Sequence, residues 1–248
     1  MSTHASVSRL HPDRSYDRPV RRPGRGSGTG CVLILDVHPM FRRMLRPALH
    51  EEGMDVHEVG FDDEQVMLTA VAGLGTGVVL LELAPAAEKV GGRIRTGPFV
   101  AALTANGNPV LAVSGHGDES SAAGAVAAGA VGVLSKDLPL PDLVNAVVRA
   151  GAGLPVMSAP EHGLWLSRHH ERSVRRSRVL DRLARLAPRE QQILRLLATG
   201  RRSPEIAGLF GISPAMLRSE VRSMMAVLGV GSRIEAVAML FESRTDTW

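Results

Sequence analysis

The chain has 248 residues, 44% hydrophobic but only 3% aromatic, with 29 basic and 25 acidic residues and a single cysteine. That length holds one large domain or two small ones with aliphatic cores. One cysteine excludes a disulfide framework, no apolar run approaches the ~20 residues of a membrane span, and the N-terminus lacks the apolar core of a signal peptide. The chain therefore reads as a soluble protein of a reducing cytoplasm. Its charge is uneven: +4 over residues 1–30, −6 over 31–155 and +6 over 156–248. An acidic middle joined to a basic C-terminal third implies two domains with different partners, the basic one suited to nucleic acid.

Residues 1–30 are Arg, Ser, Pro, Gly and His with little to bury, and read as a disordered basic tail. The run GRGSGTG at 24–30 precedes the first strand instead of following it, and no Gly-Lys pair occurs anywhere in the chain. It reads as a linker and not as a phosphate-binding loop.

From residue 31 strands and helices alternate. CVLILD (31–36) predicts a buried strand and PMFRRMLRPALHEEG (39–53) a helix with Phe41, Leu45 and Leu49 on one face. A strand at 55–59 and a helix at 62–73 follow, the helix opened by acids that suit its N-terminal dipole. VVLLE (78–82) is a further strand; a Gly-rich loop and a short helix near 97–105 lead to PVLAVS (109–114). A helix at 118–129, the strand VGVLSK (131–136) and a helix at 140–151 complete five βα units. That order predicts an α/β doubly wound, five-stranded parallel sheet with helices on both faces. Asp36, Glu82, Ser114 and Lys136 end four of the strands, so they should converge on the crevice at the carboxyl edge of the sheet.

The segment 161–186 is Arg-rich and reads as a helix with Leu180 and Leu183 on one side; the adjacent His169 and His170 read as a solvated pair. Residues 186–240 predict four helices. Pro188 suits a first helical position, Ser203-Pro204 and Ser213-Pro214 cap the next two helices, and Gly211 makes the turn between them. Ala207 is small where two helices would cross, and Leu217, Val221, Met224 and Leu228 line one core stripe. This is helix-turn-helix spacing. Arg218, Ser219 and Arg222 lie on the opposite face, where Arg218 and Arg222, four residues apart, would enter a major groove together. SRIE (232–235) is a capping box opening the last helix, whose apolar face carries Val237, Leu240 and Phe241.

VLILDVHPMFR (32–42), VVLLELAP (78–85), VLAVSG (110–115) and AGAVGVLSKD (128–137) resemble the receiver domain of a bacterial response regulator. The stretch after 186 is similar to the LuxR-type DNA-binding domain, which makes the whole resemble the NarL/FixJ type over roughly residues 31–242. The resemblance implies domains at 31–152 (receiver) and 186–242 (helix-turn-helix), joined by a linker over 153–185 and followed by a tail at 243–248. It places Glu82 on the phospho-acceptor position, Ser114 on the hydroxyl and Lys136 on the lysine that bind phosphoryl oxygens. Asp36 matches the first of two Mg²⁺-binding acids.

The pattern breaks in several places. Val37 stands where the second acid should be and offers Mg²⁺ no oxygen. Glu82 carries its carboxylate about 1 Å further out than an Asp, a misplacement of the size that costs ~10²-fold in rate. Val133 replaces an aromatic residue that reports phosphorylation, and Gly91, Gly92, Arg93 and Arg95 make the segment after Glu82 irregular. Glu82 and Lys136 are then expected to form a standing ion pair in a degenerate phosphorylation pocket.

In the basic domain the resemblance assigns base contacts to Arg218, Ser219 and Arg222, phosphate contacts to Arg201, Arg202, Ser213 and Arg233, and dimerisation to Val237, Leu240 and Phe241. Ala187 replaces a capping Thr, and Glu220 puts an acid on the recognition helix.

The chain is therefore expected to be a transcriptional regulator, without catalytic residues, metal or cofactor, that binds pseudo-palindromic DNA as a dimer. Its expected partners are double-stranded DNA, a second copy or another response regulator, RNA polymerase, and a small-molecule ligand at the receiver, with no membrane. Its expected location is the cytoplasm, at the nucleoid when bound. Three alternatives stay open: a conventional phosphorylated regulator, a heterodimer partner with little DNA binding of its own, for which Glu220 speaks, and an enzyme on a doubly wound sheet.

Overall fold

The computed structural model describes residues 30–59, 64–83, 96–115 and 119–244. The basic tail, the acids Asp62 and Asp63, the irregular stretch at 91–95 and the last four residues lie outside the described residues. Contacts divide the chain between His169 and His170 into two units.

The first unit alternates β1 (Cys31–Leu35), α1 (Pro39–Glu51), β2 (Asp55–Val59), α2 (Glu64–Leu74), β3 (Val78–Glu82), α3 (Thr96–Ala105), β4 (Val110–Ser114), α4 (Glu119–Ala127), β5 (Gly132–Ser135) and α5 (Leu140–Gly151). The strands form one parallel sheet in the order β2-β1-β3-β4-β5. This is the doubly wound architecture expected, with element ends displaced by at most two residues as fraying allows. The apolar run of β3 is explained by its central place: all five of its residues are buried, Glu82 included. Phe41, Leu45 and Leu49 of α1 pack with Leu143 and Val147 of α5 on one face of the sheet. Met67, Phe99 and Leu103 from α2 and α3 pack on the other, with the alanines of α4.

Local chemistry sets the register of the central strands. A Cβ at Gly77 would stand 2.6 Å from the Cys31 carbonyl oxygen, so only glycine lets β3 begin this close to β1. The Gly77 N–H donates to the Asn108 side chain at 3.0 Å, which ties the starts of β3 and β4 together.

The helix α6 (Ala159–Ala184) begins at Ser158, whose hydroxyl accepts the Glu161 N–H at 3.3 Å. Its inward residues are Trp165 and Val179, with Leu183 packed on the second core. Leu180 and Leu183 lie on one side as expected, lining a groove with Leu186 and Leu194, with Leu180 45% exposed and Val179 buried beside them.

The second unit adds α7 (Pro188–Ala198), α8 (Ser203–Phe210), α9 (Pro214–Leu228) and α10 (Arg233–Arg244). Leu217, Val221, Met224 and Leu228 are the buried stripe of α9, and Ala207 is buried where α8 packs in the same core. Gly211 closes α8 with φ +62°, a left-handed turn that favours glycine. Ser213 caps α9 by accepting the Met216 N–H at 3.2 Å. Ser203 is not the cap of α8: Arg202 holds that position without a side-chain cap bond, and the Ser203 hydroxyl instead accepts from Arg233 Nη1 at 3.2 Å. At α10 Ser232 Oγ accepts the Glu235 N–H at 3.1 Å, while the Glu235 carboxylate accepts the Ser232 hydroxyl at 3.1 Å and the Gly231 N–H at 3.0 Å, so the reciprocal backbone bond of the expected capping box goes to the residue before the cap. At α7 only half of one forms: Glu190 accepts the Ala187 N–H at 2.9 Å, and the Ala187 methyl accepts nothing in return. Among the described residues no single helix is long and apolar enough to cross a membrane.

Candidate functional site

The parallel sheet sets the ends of β1 and β3 side by side, and β5 follows one strand further on, across β4, so all of them open on the same edge. Lys136, directly after β5, is positioned by its own N–H, which donates to the Ser114 carbonyl at 2.8 Å. Its ammonium reaches Glu82 Oε1 at 2.6 Å, Asp36 Oδ2 at 2.7 Å and His38 Nδ1 at 3.0 Å. Two carboxylate oxygens and one imidazole nitrogen surround this ammonium. The Lys136 charge also lies 4.9 Å from the Phe41 ring centre.

The second Glu82 oxygen is held from the other side. The Val37 backbone N–H donates to Glu82 Oε2 at 2.8 Å, and the His38 N–H donates to Asp36 Oδ1 at 2.7 Å. Val37 thus serves the pocket through its backbone, while its side chain is 45% exposed. His38 Nδ1 also lies 2.9 Å from Glu82 Oε1. Arg42 donates to the Asp36 carbonyl at 2.9 Å and anchors the turn that carries these groups.

Asp36 and Glu82 are 1% and 4% exposed, and their environments pull them apart. Burial raises the Asp36 pKa, and the bonds from Lys136 and the His38 N–H offset this only in part. Burial also pushes Glu82 up, but bonds from Lys136 and the Val37 N–H outweigh it and hold that carboxyl below its ordinary value.

The expected Glu82–Lys136 pair is present, enlarged to a four-residue network with Asp36 and His38. Ser114 ends β4 opposite Ser135, and among the described residues its hydroxyl is not a partner of Glu82 or Lys136. His38 was missed by the reading of the sequence. Its signal was its place two residues after Asp36, at the cap of α1, where the chain turns back over the crevice.

The receiver resemblance implies Mg²⁺ here. Asp36, His38 and Glu82 present ligand atoms within 4.8 Å of one another, the grouping a cation needs. The Lys136 ammonium already stands among them, each carboxylate has an oxygen taken by a backbone N–H, and one of the three donors is an imidazole. Mg²⁺ demands near-octahedral oxygen ligation, and this donor set does not fit it. His169 and His170 join no such grouping among the described residues.

In the second unit Arg218, Ser219 and Arg222 are all exposed on α9, opposite its buried stripe. Glu220 faces α7: it is paired with Arg189 at 3.2 Å, and Arg189 lies 5.2 Å from the Phe210 ring centre on α8. The acid is thereby part of the scaffold that holds α9. Arg182 of α6 donates to the Leu228 carbonyl at 3.5 Å, a cation at the negative end of the α9 dipole. Arg201 and Arg202 are exposed, Arg201 within 4.0 Å of Glu205. Ser213 is engaged as a helix cap and Arg233 by Ser203. Val237 and Leu240 are partly buried in the core of this unit, so the apolar surface that α10 leaves open is Ile234 and Phe241, 81% and 48% exposed.

Residues 184–240 match the family described as bacterial regulatory proteins, luxR family. The chain is 28% identical over 218 residues to the "Probable transcriptional regulatory protein NarL" of Mycobacterium tuberculosis, covering 86% of this chain and 94% of that one. It is 27% identical over 224 residues to the nitrate/nitrite response regulator protein NarL of Escherichia coli, covering 86% and 95%. Among solved structures, that of the response regulator RcsB bound to DNA aligns at a TM-score of 0.45 and 23% identity, covering 87% of this chain and 99% of that one. The curated relatives are transcriptional regulators and not enzymes. With a luxR-family domain at 184–240 behind a five-stranded doubly wound sheet, the chain is similar to response regulators of the NarL type along nearly their whole length.

Proposed function

We propose that this response regulator binds pseudo-palindromic DNA as a dimer and is governed without phosphoryl transfer to its receiver. The observation that carries the reading is the Lys136 ammonium enclosed by Glu82, Asp36 and His38. In a conventional receiver a second acid completes the metal site; here Val37 offers only its backbone N–H, which already holds Glu82. Control then passes to a partner or a small molecule at the receiver. Exposed Arg218, Ser219 and Arg222 supply base readout, with Arg201, Arg202 and Arg233 on phosphates. Ile234 and Phe241 supply apolar surface for pairing about a two-fold axis. Glu220, once turned toward Arg189, no longer argues for a subunit that binds DNA poorly. RNA polymerase would be met at the promoter, and the working location is the nucleoid in the cytoplasm.

The test is chemical. Incubation of the full-length protein with acetyl phosphate and Mg²⁺ is expected to leave the intact mass unchanged, and DNA affinity with it. A stable +80 Da species that disappears in Glu82→Ala would return the chain to conventional phosphorylation.

A further inference from the structure

The basic charge of the C-terminal third is not concentrated in its four-helix domain. Residues 186–242 carry seven arginines and five acids, a net +2, whereas the sixteen residues 170–185 carry six arginines and two acids, a net +4. Affinity for a duplex grows with the number of phosphates a protein neutralises, and +2 is little for a unit that binds one. Two of the seven arginines are also engaged within the unit, Arg189 with Glu220 and Arg201 with Glu205.

The denser charge is ordered along the second half of α6. At ~100° per residue Arg175, Arg178 and Arg182 fall within ~60° of one another over ~10 Å of helix. Arg185, in the turn that closes the helix, continues the row. The row lies roughly a quarter turn from the side that carries Val179 and Leu183. All four arginines are exposed, and among the described residues Arg175, Arg178 and Arg185 have no ion-pair or side-chain hydrogen-bond partner. Arg182 donates to the Leu228 carbonyl at 3.5 Å, so the row passes the end of α9. Five residues beyond Leu228, Arg233 opens α10 and donates to Ser203, which directly follows Arg201 and Arg202.

We propose, on the reading that α9 binds duplex DNA, that the arginine row of α6 is a second phosphate-binding element, which extends the contacts of Arg201, Arg202 and Arg233 along the duplex beyond the four-helix domain. The chemistry of the row selects the partner. It holds no apolar side chain, and so no anchor with which to fill a pocket in another protein. A uniformly charged polyanion needs none, because each phosphate met by an arginine releases counterion. Such contacts carry no base information. The row therefore sets how tightly, and with what salt dependence, the protein holds any duplex, while α9 sets which sequence it prefers.

Binding of the full-length protein to a mixed-sequence duplex and to operator, over a range of salt concentrations, tests this. The triple variant Arg175→Ala, Arg178→Ala, Arg185→Ala is expected to bind both duplexes at least ~10-fold more weakly at low salt, with its slope of log affinity against log salt lowered by about two to three. The specificity ratio should not change. Lysine at the same three positions should restore the slope, because a point charge serves a phosphate; failure of lysine to restore it would assign the loss to helix structure and reject the proposal. Arg202→Ala, measured alongside, keeps two failures apart. If it lowers the slope and the triple variant does not, the row is rejected while DNA binding by the domain stands; if neither lowers it, both fall. A triple variant that keeps its DNA slope but loses affinity for polyglutamate would give the row to an acidic protein surface and overturn the proposal, as would a changed specificity ratio.

Discussion

Lys136→Ala is expected to lower the melting temperature at pH 7.5 by on the order of 10 °C, and by clearly less near pH 5. Removing one partner of a buried ion pair costs ~3–5 kcal/mol because the other charge stays buried, and ~2–4 °C accompany each kcal/mol in a chain of this size. The pH dependence follows from the two carboxyls. Asp36 is raised by burial, so it binds a proton more readily folded than unfolded, and its charge opposes folding at neutral pH. Glu82 is held below the ordinary 4.5, so its contribution to stability is present above that pH and lost as the pH falls through its folded value. Without Lys136 that contribution disappears, and two buried carboxylates face each other with His38 as the remaining partner. Both then titrate higher, so mild acid lets one take a proton and relieves the variant. An equal loss at both pH values would assign the effect to packing of the lysine stem against Phe41 and not to charge.

Alanine at Arg218 or Arg222 is expected to weaken binding to the specific site by ~1–3 kcal/mol, roughly 5- to 150-fold, and to relax base preference nearby. Alanine at Arg202 should behave otherwise. It should weaken specific and scrambled DNA alike and lower the slope of log affinity against log salt by about one, because a phosphate contact carries counterion release but no sequence. Both classes are exposed, and any arginine near DNA lowers affinity when removed, so the contrast is the test. Binding to operator and scrambled duplex over several salt concentrations separates them. The same specificity ratio and slope for Arg218→Ala and Arg202→Ala would mean that α9 does not enter the groove as assigned. Glu220→Ala is informative beside them: with the Arg189 pair at 3.2 Å, it should loosen the helix and not relieve a repulsion.

Much of the fold was legible before any coordinate. The apolar run of β3 between Gly77 and Pro85 meant a strand buried on both faces, and it lies at the centre of the sheet. The i, i+4, i+7 and i+11 spacing of Leu217, Val221, Met224 and Leu228 is the buried stripe of α9. Polar residues at four strand ends implied a crevice, and Asp36, Glu82 and Lys136 meet there. What failed was finer. Ser203 was read as a cap although Arg202 holds that position, because a one-residue shift in where a helix starts changes the cap without changing the composition.

The sequence alone determined element order, sheet class, the helix-turn-helix stripe and the four strand ends that open on the crevice, since each follows from periodicity or from strand ends in register. The tertiary structure decided the rest. It chose His38 and the Val37 N–H as partners of Glu82 and left Ser114 out. It turned Glu220 toward Arg189, drew Val237 and Leu240 into the core of their own unit, and buried Trp165 in one of the two cores of the sheet unit. The physical reason is the same in each case. Hydrogen bonds and ion pairs are decided within a few tenths of an ångström between residues far apart in the chain, and no local pattern of residue types records which way a side chain turns when several partners are within reach.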